Sequence, residues 1–143
     1  MAIRVARAQW RGNLPEGKGT VRTETGNFEG PYTFGSRFEE AEGTNPEELI
    51  GAAHAACFSM AFANGLAQAG HDPRSVETTA KVHLEKGDAG FRITRIQLVC
   101  QADVPGVSPE EFQAKAEEAK TGCPISQALS ATPIELDARL TSS

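Results

Sequence analysis

Basic runs are missing from this 143-residue chain, which sets 14 Lys and Arg against 19 Asp and Glu for a net charge of −5. No aromatic-interleaved cationic patch offsets that balance. A nucleic-acid partner is therefore not expected, since phosphate recognition needs a basic face. Cysteine is scarce and odd in number, at three, which argues against a fully paired secreted framework. In a reducing compartment, a disulfide that does form is usually transient and catalytic. The segment Met1-Ala2-Ile3-Arg4-Val5-Ala6-Arg7 lacks the apolar core and cleavage site of a secretory signal. No membrane span is expected either, because the central apolar run is rich in Ala and Gly and carries Asn, Gln and His. These absences predict a cytoplasmic protein. Cys-x-x-Cys and His-x₃-His spacings are lacking too, so neither a metal nor a cofactor is predicted. Without repeats, low-complexity segments or long linkers, the chain reads as one domain, 1–143, large enough to bury a core without disulfide staples.

The segments that are present follow an α+β order. Residues 3–11 alternate apolar and polar as a half-buried strand does, a turn follows at 12–17, and 19–25 reads as the returning strand. Residues 31–38 look like a third, interrupted strand or an extended loop, which completes an antiparallel meander. The central helix has clear boundaries: Asn45 as N-cap, Pro46 at the first helical position, Glu48 at the capping-box position, Gly70 at C′ and Pro73 beyond. Its stretch 49–67 is apolar or small nearly all round, which predicts burial on most sides and a partner subunit to supply part of that cover. Strands at 75–87 and 91–104 form a hairpin through Gly87-Asp88-Ala89-Gly90. Ser108-Pro109 opens an amphipathic helix to about Lys120, a short helix follows Pro124, and 134–140 alternate as a final strand.

Cys57 lies deep in the central helix, and Cys123 stands between Gly122 and Pro124. Taken singly, Cys57 could be a small buried hydrophobe and Cys123 an exposed cap residue. Their two well-specified contexts point instead to a reactive pair. Cys100 shares strand parity with Ile96 and Leu98 and reads as a core spectator. His54, three residues before Cys57, lies on the same helix face. It reads as a hydrogen-bonded interface histidine before an acid–base group.

Two long motifs carry a family resemblance. Gly43-Thr44-Asn45-Pro46-Glu47-Glu48-Leu49-Ile50-Gly51-Ala52-Ala53-His54-Ala55-Ala56-Cys57-Phe58-Ser59-Met60 and Ala119-Lys120-Thr121-Gly122-Cys123-Pro124-Ile125-Ser126 resemble the osmotically inducible protein C (OsmC) family. Gly17-Lys18-Gly19-Thr20-Val21, Phe34-Gly35-Ser36-Arg37-Phe38-Glu39 and Asp88-Ala89-Gly90-Phe91 extend the likeness essentially end to end. His54, where the sister organic-hydroperoxide-resistance (Ohr) group has Gly-Tyr at the preceding positions, favours the OsmC branch. The resemblance implies an intertwined homodimer, with antiparallel sheets packed around long buried central helices. It also implies a thiol peroxidase that reduces organic hydroperoxides. By motif position Cys57 is the peroxidatic cysteine, Cys123 the resolving one, and Arg37 and Glu47 complete the site. A dithiol reductant, such as the dihydrolipoyl protein of the Ohr group, is implied as partner.

The implied roles suit the residues. A thiol attacks a peroxide as thiolate, and burial opposes ionisation. A guanidinium from Arg37, held in place by a bidentate Glu47, counters that opposition. The resulting sulfenic acid condenses with Cys123, whose place before a Pro-initiated helix favours its own thiolate. Glu47 and Cys57 are ten residues apart, so on one straight helix they are separated by about 15 Å of rise and point roughly 80° apart. If both serve one site, Glu47 comes from the partner subunit. Two other classes compete with the peroxidase: a non-catalytic thiol redox sensor or stress-response binding protein, and a metal site of Cys57, His54 and Cys123, which ranks last.

Overall fold

The computed structural model describes residues 1–142. Contacts divide the chain into two compact units, Met1–Leu49 and Ile50–Ser143.

The first unit is a three-stranded antiparallel sheet, β1 (Ala6–Arg11), β2 (Lys18–Thr23) and β3 (Glu29–Tyr32), in sequential order. Gly19 faces Trp10 on one side and Tyr32 on the other, and a Cβ there would stand 2.5 Å from the Tyr32 ring and 2.7 Å from Trp10. Only glycine lets the two rings close over β2 at a centroid distance of 5.3 Å. The strand or loop expected over 31–38 is instead the end of β3 followed by a short helix, α1 (Phe34–Phe38). A reciprocal capping box makes it: Ser36 N–H donates to Thr33 Oγ1 at 3.1 Å, and Thr33 N–H donates to Ser36 Oγ at 2.8 Å. Ser36 Oγ also donates to the Thr44 carbonyl at 2.8 Å, and Asn45 Nδ2 to the Ser36 carbonyl at 3.1 Å. These bonds tie α1 to the start of the next helix.

That helix, α2 (Pro46–Gln68), begins where the sequence places it, with the Glu48 N–H on Asn45 Oδ1 at 2.7 Å. The Glu48 carboxylate accepts from Thr44 Oγ1 at 2.8 Å. At its far end Gly70 adopts φ +93°, and the Gly70 and His71 amides reach back to the Ala67 and Leu66 carbonyls, both at 2.9 Å. This is the paired-bond C-terminal cap that a left-handed glycine allows. The burial is narrower than expected. Within the chain α2 buries one stripe, Glu47, Gly51, His54, Phe58, Phe62 and Leu66, while Met60 on another face is 75 % exposed. By length and composition α2 is apolar enough to cross a membrane, with a mean hydropathy of 1.4 over an 18-residue window. This corrects the reading of that run as too polar. Its buried stripe belongs to a protein core.

The second unit is built on a three-stranded sheet of β4 (Ser75–Gly87), β5 (Gly90–Asp103) and β6 (Ile134–Ser142), in that order. β4 and β5 form the expected hairpin, with a register shift between His83 and Leu84. β6 runs parallel to β5, so this sheet is mixed rather than antiparallel. The reversal comes from the helices α3 (Pro109–Gly122) and α4 (Pro124–Ala128), which carry the chain back before β6 starts. Along β5, Ile96, Leu98, Cys100 and Ala102 alternate into the core with Phe58, Phe62, Leu66 and Phe112. The Phe62 and Phe112 rings meet edge-on at 5.1 Å, and Ser59 Oγ lies 2.7 Å from Thr78 Oγ1. Those contacts hold α2 between β4 and α3.

Candidate active site

Cys57 is half-buried on α2, one position before the buried Phe58. The Ile125 backbone and the Cys123 side chain are the polar groups that act on its thiol. Burial pushes the Cys57 thiol up, the Ile125 N–H pulls it down, and the Cys123 side chain raises it further. The net direction is upward, so these influences favour the thiol over the thiolate.

Cys123 is 1 % exposed and stands at the junction of α3 and α4. Pro124 forces that junction by taking the first position of α4, and the Cys123 sulfur serves as its N-cap acceptor. The sulfur accepts from the Ser126 N–H at 3.3 Å and donates to Ser126 Oγ at 3.1 Å. Ser126 Oγ in turn lies 2.7 Å from His54 Nε2. His54 is fully buried, and burial lowers its pKa. Cys100 is fully buried on β5 beside Thr78, its thiol pushed up by burial, as a core spectator should be.

Arg37 and Glu47 meet in the first unit. Arg37 Nε donates to Glu47 Oε1 at 3.0 Å and Nη2 to Oε2 at 2.8 Å, the bidentate fork the sequence predicts. The hydrogen bond to Glu47 raises the Arg37 pKa, against a lowering by burial. Arg37 stands on α1 and not in an extended segment, and its guanidinium lies 5.1 Å from the Phe38 ring centroid. Beside it a small apolar cleft of about 190 Å³ is lined by Trp10, Leu14, Tyr32, Phe34 and Phe38. Each predicted pair is thus assembled within its own unit: Arg37 with Glu47, and Cys57 with Cys123. Ser126 was not anticipated. A serine two positions after Pro124 gives no signal until the fold brings a helix-buried histidine to it.

No group of three or more His, Cys, Asp or Glu that could hold a metal ion occurs among the described residues. The Cys57–His54–Cys123 metal site is not assembled.

A long core helix set on a three-stranded mixed sheet, with two shorter helices leading back into that sheet, places the chain in the OsmC/Ohr class of α+β folds. The chain belongs to the OsmC-like protein family, whose model matches residues 39–138. It is 54 % identical over 136 residues to a protein named peroxiredoxin OsmC from Escherichia coli, covering 94 % of each chain. It is 35 % identical over 89 residues to the organic hydroperoxide resistance protein OhrA of Bacillus subtilis, 61 % of this chain and 60 % of that one. In fold it is similar to the crystal structure of the organic hydroperoxide resistance protein OhrB of Bacillus subtilis. The TM-score is 0.72 and the identity 24 %, over 96 % of this chain and 98 % of the other.

Proposed function

We propose that this protein is a thiol peroxidase that reduces organic hydroperoxides to alcohols, with 1–143 acting as one OsmC-like domain. The observation that carries the reading is that the Cys123 side chain, at the junction of α3 and α4, acts on the Cys57 thiol of α2. The Cys57 thiolate attacks the distal oxygen of ROOH, and the O–O bond breaks. The products are a Cys57 sulfenic acid and an alkoxide that takes up a proton to become the alcohol. Cys123 then condenses with the sulfenic acid, forming the disulfide and water. A dithiol, such as a dihydrolipoyl protein, restores both thiols by exchange.

The influences on Cys57 raise its pKa, so a working thiolate needs a cation. The Arg37–Glu47 pair of a second copy is the candidate source. α2 is continuous from Pro46 to Gln68, so ten residues separate Glu47 from Cys57 by about 15 Å along one helix. A homodimer is further supported by burial. Among the described residues no large apolar side chain before Phe58 is buried, and a small sheet without buried apolar side chains has little to hold it. An intertwined pair of chains covers both that sheet and the outer face of α2. Nothing in this chemistry requires a membrane, a nucleic acid or a cofactor, and a reducing cytoplasm suits its recycling.

Steady-state reduction of cumene hydroperoxide with a dithiol tests the reading. Cys57→Ser is expected to abolish peroxide consumption, and Cys123→Ser to allow one turnover and then stall or over-oxidise. A wild type that oxidises once and stops in the presence of excess dithiol is a redox sensor and not an enzyme.

A further inference from the structure

Behind the thiol pair lies a buried polar chain that the proposed chemistry leaves unused. Cys123, Ser126 and His54 are 1 %, 3 % and 0 % exposed, and they are linked in series through Ser126 Oγ at 3.1 and 2.7 Å. A hydroxyl has a single proton to give. With Ser126 Oγ receiving the Cys123 S–H, its own proton points at His54 Nε2, which must accept. His54 is then neutral with its proton on Nδ1, an assignment that follows from the network. Nδ1 has no hydrogen-bond partner among the described residues, and a buried polar group without a partner is a cost to folding. The large members that follow it in the same stripe are Phe58, Phe62 and Leu66, so an apolar side chain at position 54 would fill the stripe without that cost. Packing alone does not account for an imidazole here.

We propose that Ser126 and His54 form a proton relay that generates the Cys123 thiolate for disulfide closure. The inference rests on the reading of Cys123 as the resolving cysteine. Cys123 passes its proton to Ser126 Oγ, and the Ser126 proton moves to His54 Nε2. The thiolate left behind is held by two donors, the Ser126 N–H and the Ser126 O–H. Its electron pair attacks the sulfenic sulfur of Cys57, the S–S bond forms and the S–O bond breaks. The departing hydroxide takes a proton from Ser126, and His54 returns its own to Ser126. Sulfenic acid and thiol have then given disulfide and water, with the relay restored. Burial lowers the His54 pKa, which keeps the imidazole a free base at rest. Ser126 touches the reacting sulfur; His54 acts through it as a positioning residue.

The test is a single turnover of the full-length reduced protein with cumene hydroperoxide. Timed quenches with dimedone and an alkylating agent separate Cys57 sulfenic acid from the disulfide by mass spectrometry. His54→Gln keeps a side chain able to bond Ser126 but unable to take a proton, and Ser126→Ala breaks the chain. Both are expected to leave sulfenic-acid formation within about twofold of wild type. Both should slow disulfide closure by about tenfold or more, the scale of a lost acid–base group, so that the dimedone adduct accumulates. In the reduced wild type, imidazole ¹⁵N resonances are expected to show His54 protonated on Nδ1. Disulfide closure at the wild-type rate in either variant overturns the relay, as does equal slowing of both steps, the mark of a merely structural role. An Nε2–H tautomer in the reduced wild type overturns it without any variant having to fold. A wild type that forms no sulfenic acid removes the peroxidase reading itself, and with it the step the relay serves.

Discussion

Burial and the Cys123 side chain hold the proton on the Cys57 thiol more strongly than the Ile125 amide draws it off. The guanidinium expected to tip that balance is oriented by two short bonds to one carboxylate. An ammonium cannot reproduce that planar fork, so Arg37→Lys is not conservative here. It is expected to lower kcat/KM for cumene hydroperoxide by about tenfold or more while leaving the unfolding midpoint nearly unchanged. His54 carries a different consequence. Its folded pKa lies below the ordinary histidine value, so the unfolded chain takes up that proton first. The stabilisation is therefore present above about pH 6.5 and is lost as pH falls below it. Urea midpoints measured from pH 7 down to pH 5 are expected to fall less steeply in His54→Gln than in wild type. The four residues proposed from the motifs stand out in the sequence because each sits in a long, specific string. Ser126 could not, since its meaning comes from a bond to a residue 72 positions away.

α2 shows which properties of an element local sequence controls. Asn45, Pro46 and Gly70 act within a turn of their own positions, and the helix begins and ends at them. Its depth in the core is a tertiary matter. Phe62 is fully buried and lies between Phe58 at 5.6 Å and Phe112 at 5.1 Å. Phe62→Ala is expected to cost about 3–5 kcal/mol, read by urea denaturation, because so large a void cannot collapse fully. α1 is the opposite case. Pro31, Tyr32 and Thr33 favour extended backbone, and a helix of five residues shows little periodicity. Its existence depends on the Thr33–Ser36 box and on bonds from Ser36 to Thr44 and Asn45. The direction of β6 is equally silent in its alternation, which reads the same whether a strand runs parallel or antiparallel to its neighbour.

At the scale of the whole molecule, the proposed homodimer would cover the exposed face of α2 and the thinly buried first unit. Met60, 75 % exposed on that face, is the place to test it. Met60→Lys is expected to shift the sedimenting species from dimer to monomer and to lower peroxidase turnover in parallel, since a charge in an apolar interface has no partner. A variant that stays dimeric and fully active would place the interface elsewhere. By itself the sequence determined the α+β class, the limits of α2, the β4–β5 hairpin and the family. Each of these is encoded in neighbouring residues or in one continuous motif. Tertiary structure alone decided the parallel β6, the helical setting of Arg37, the single buried stripe of α2 and the His54–Ser126–Cys123 chain. These depend on contacts between segments tens of residues apart, and such contacts leave no periodic trace in either segment.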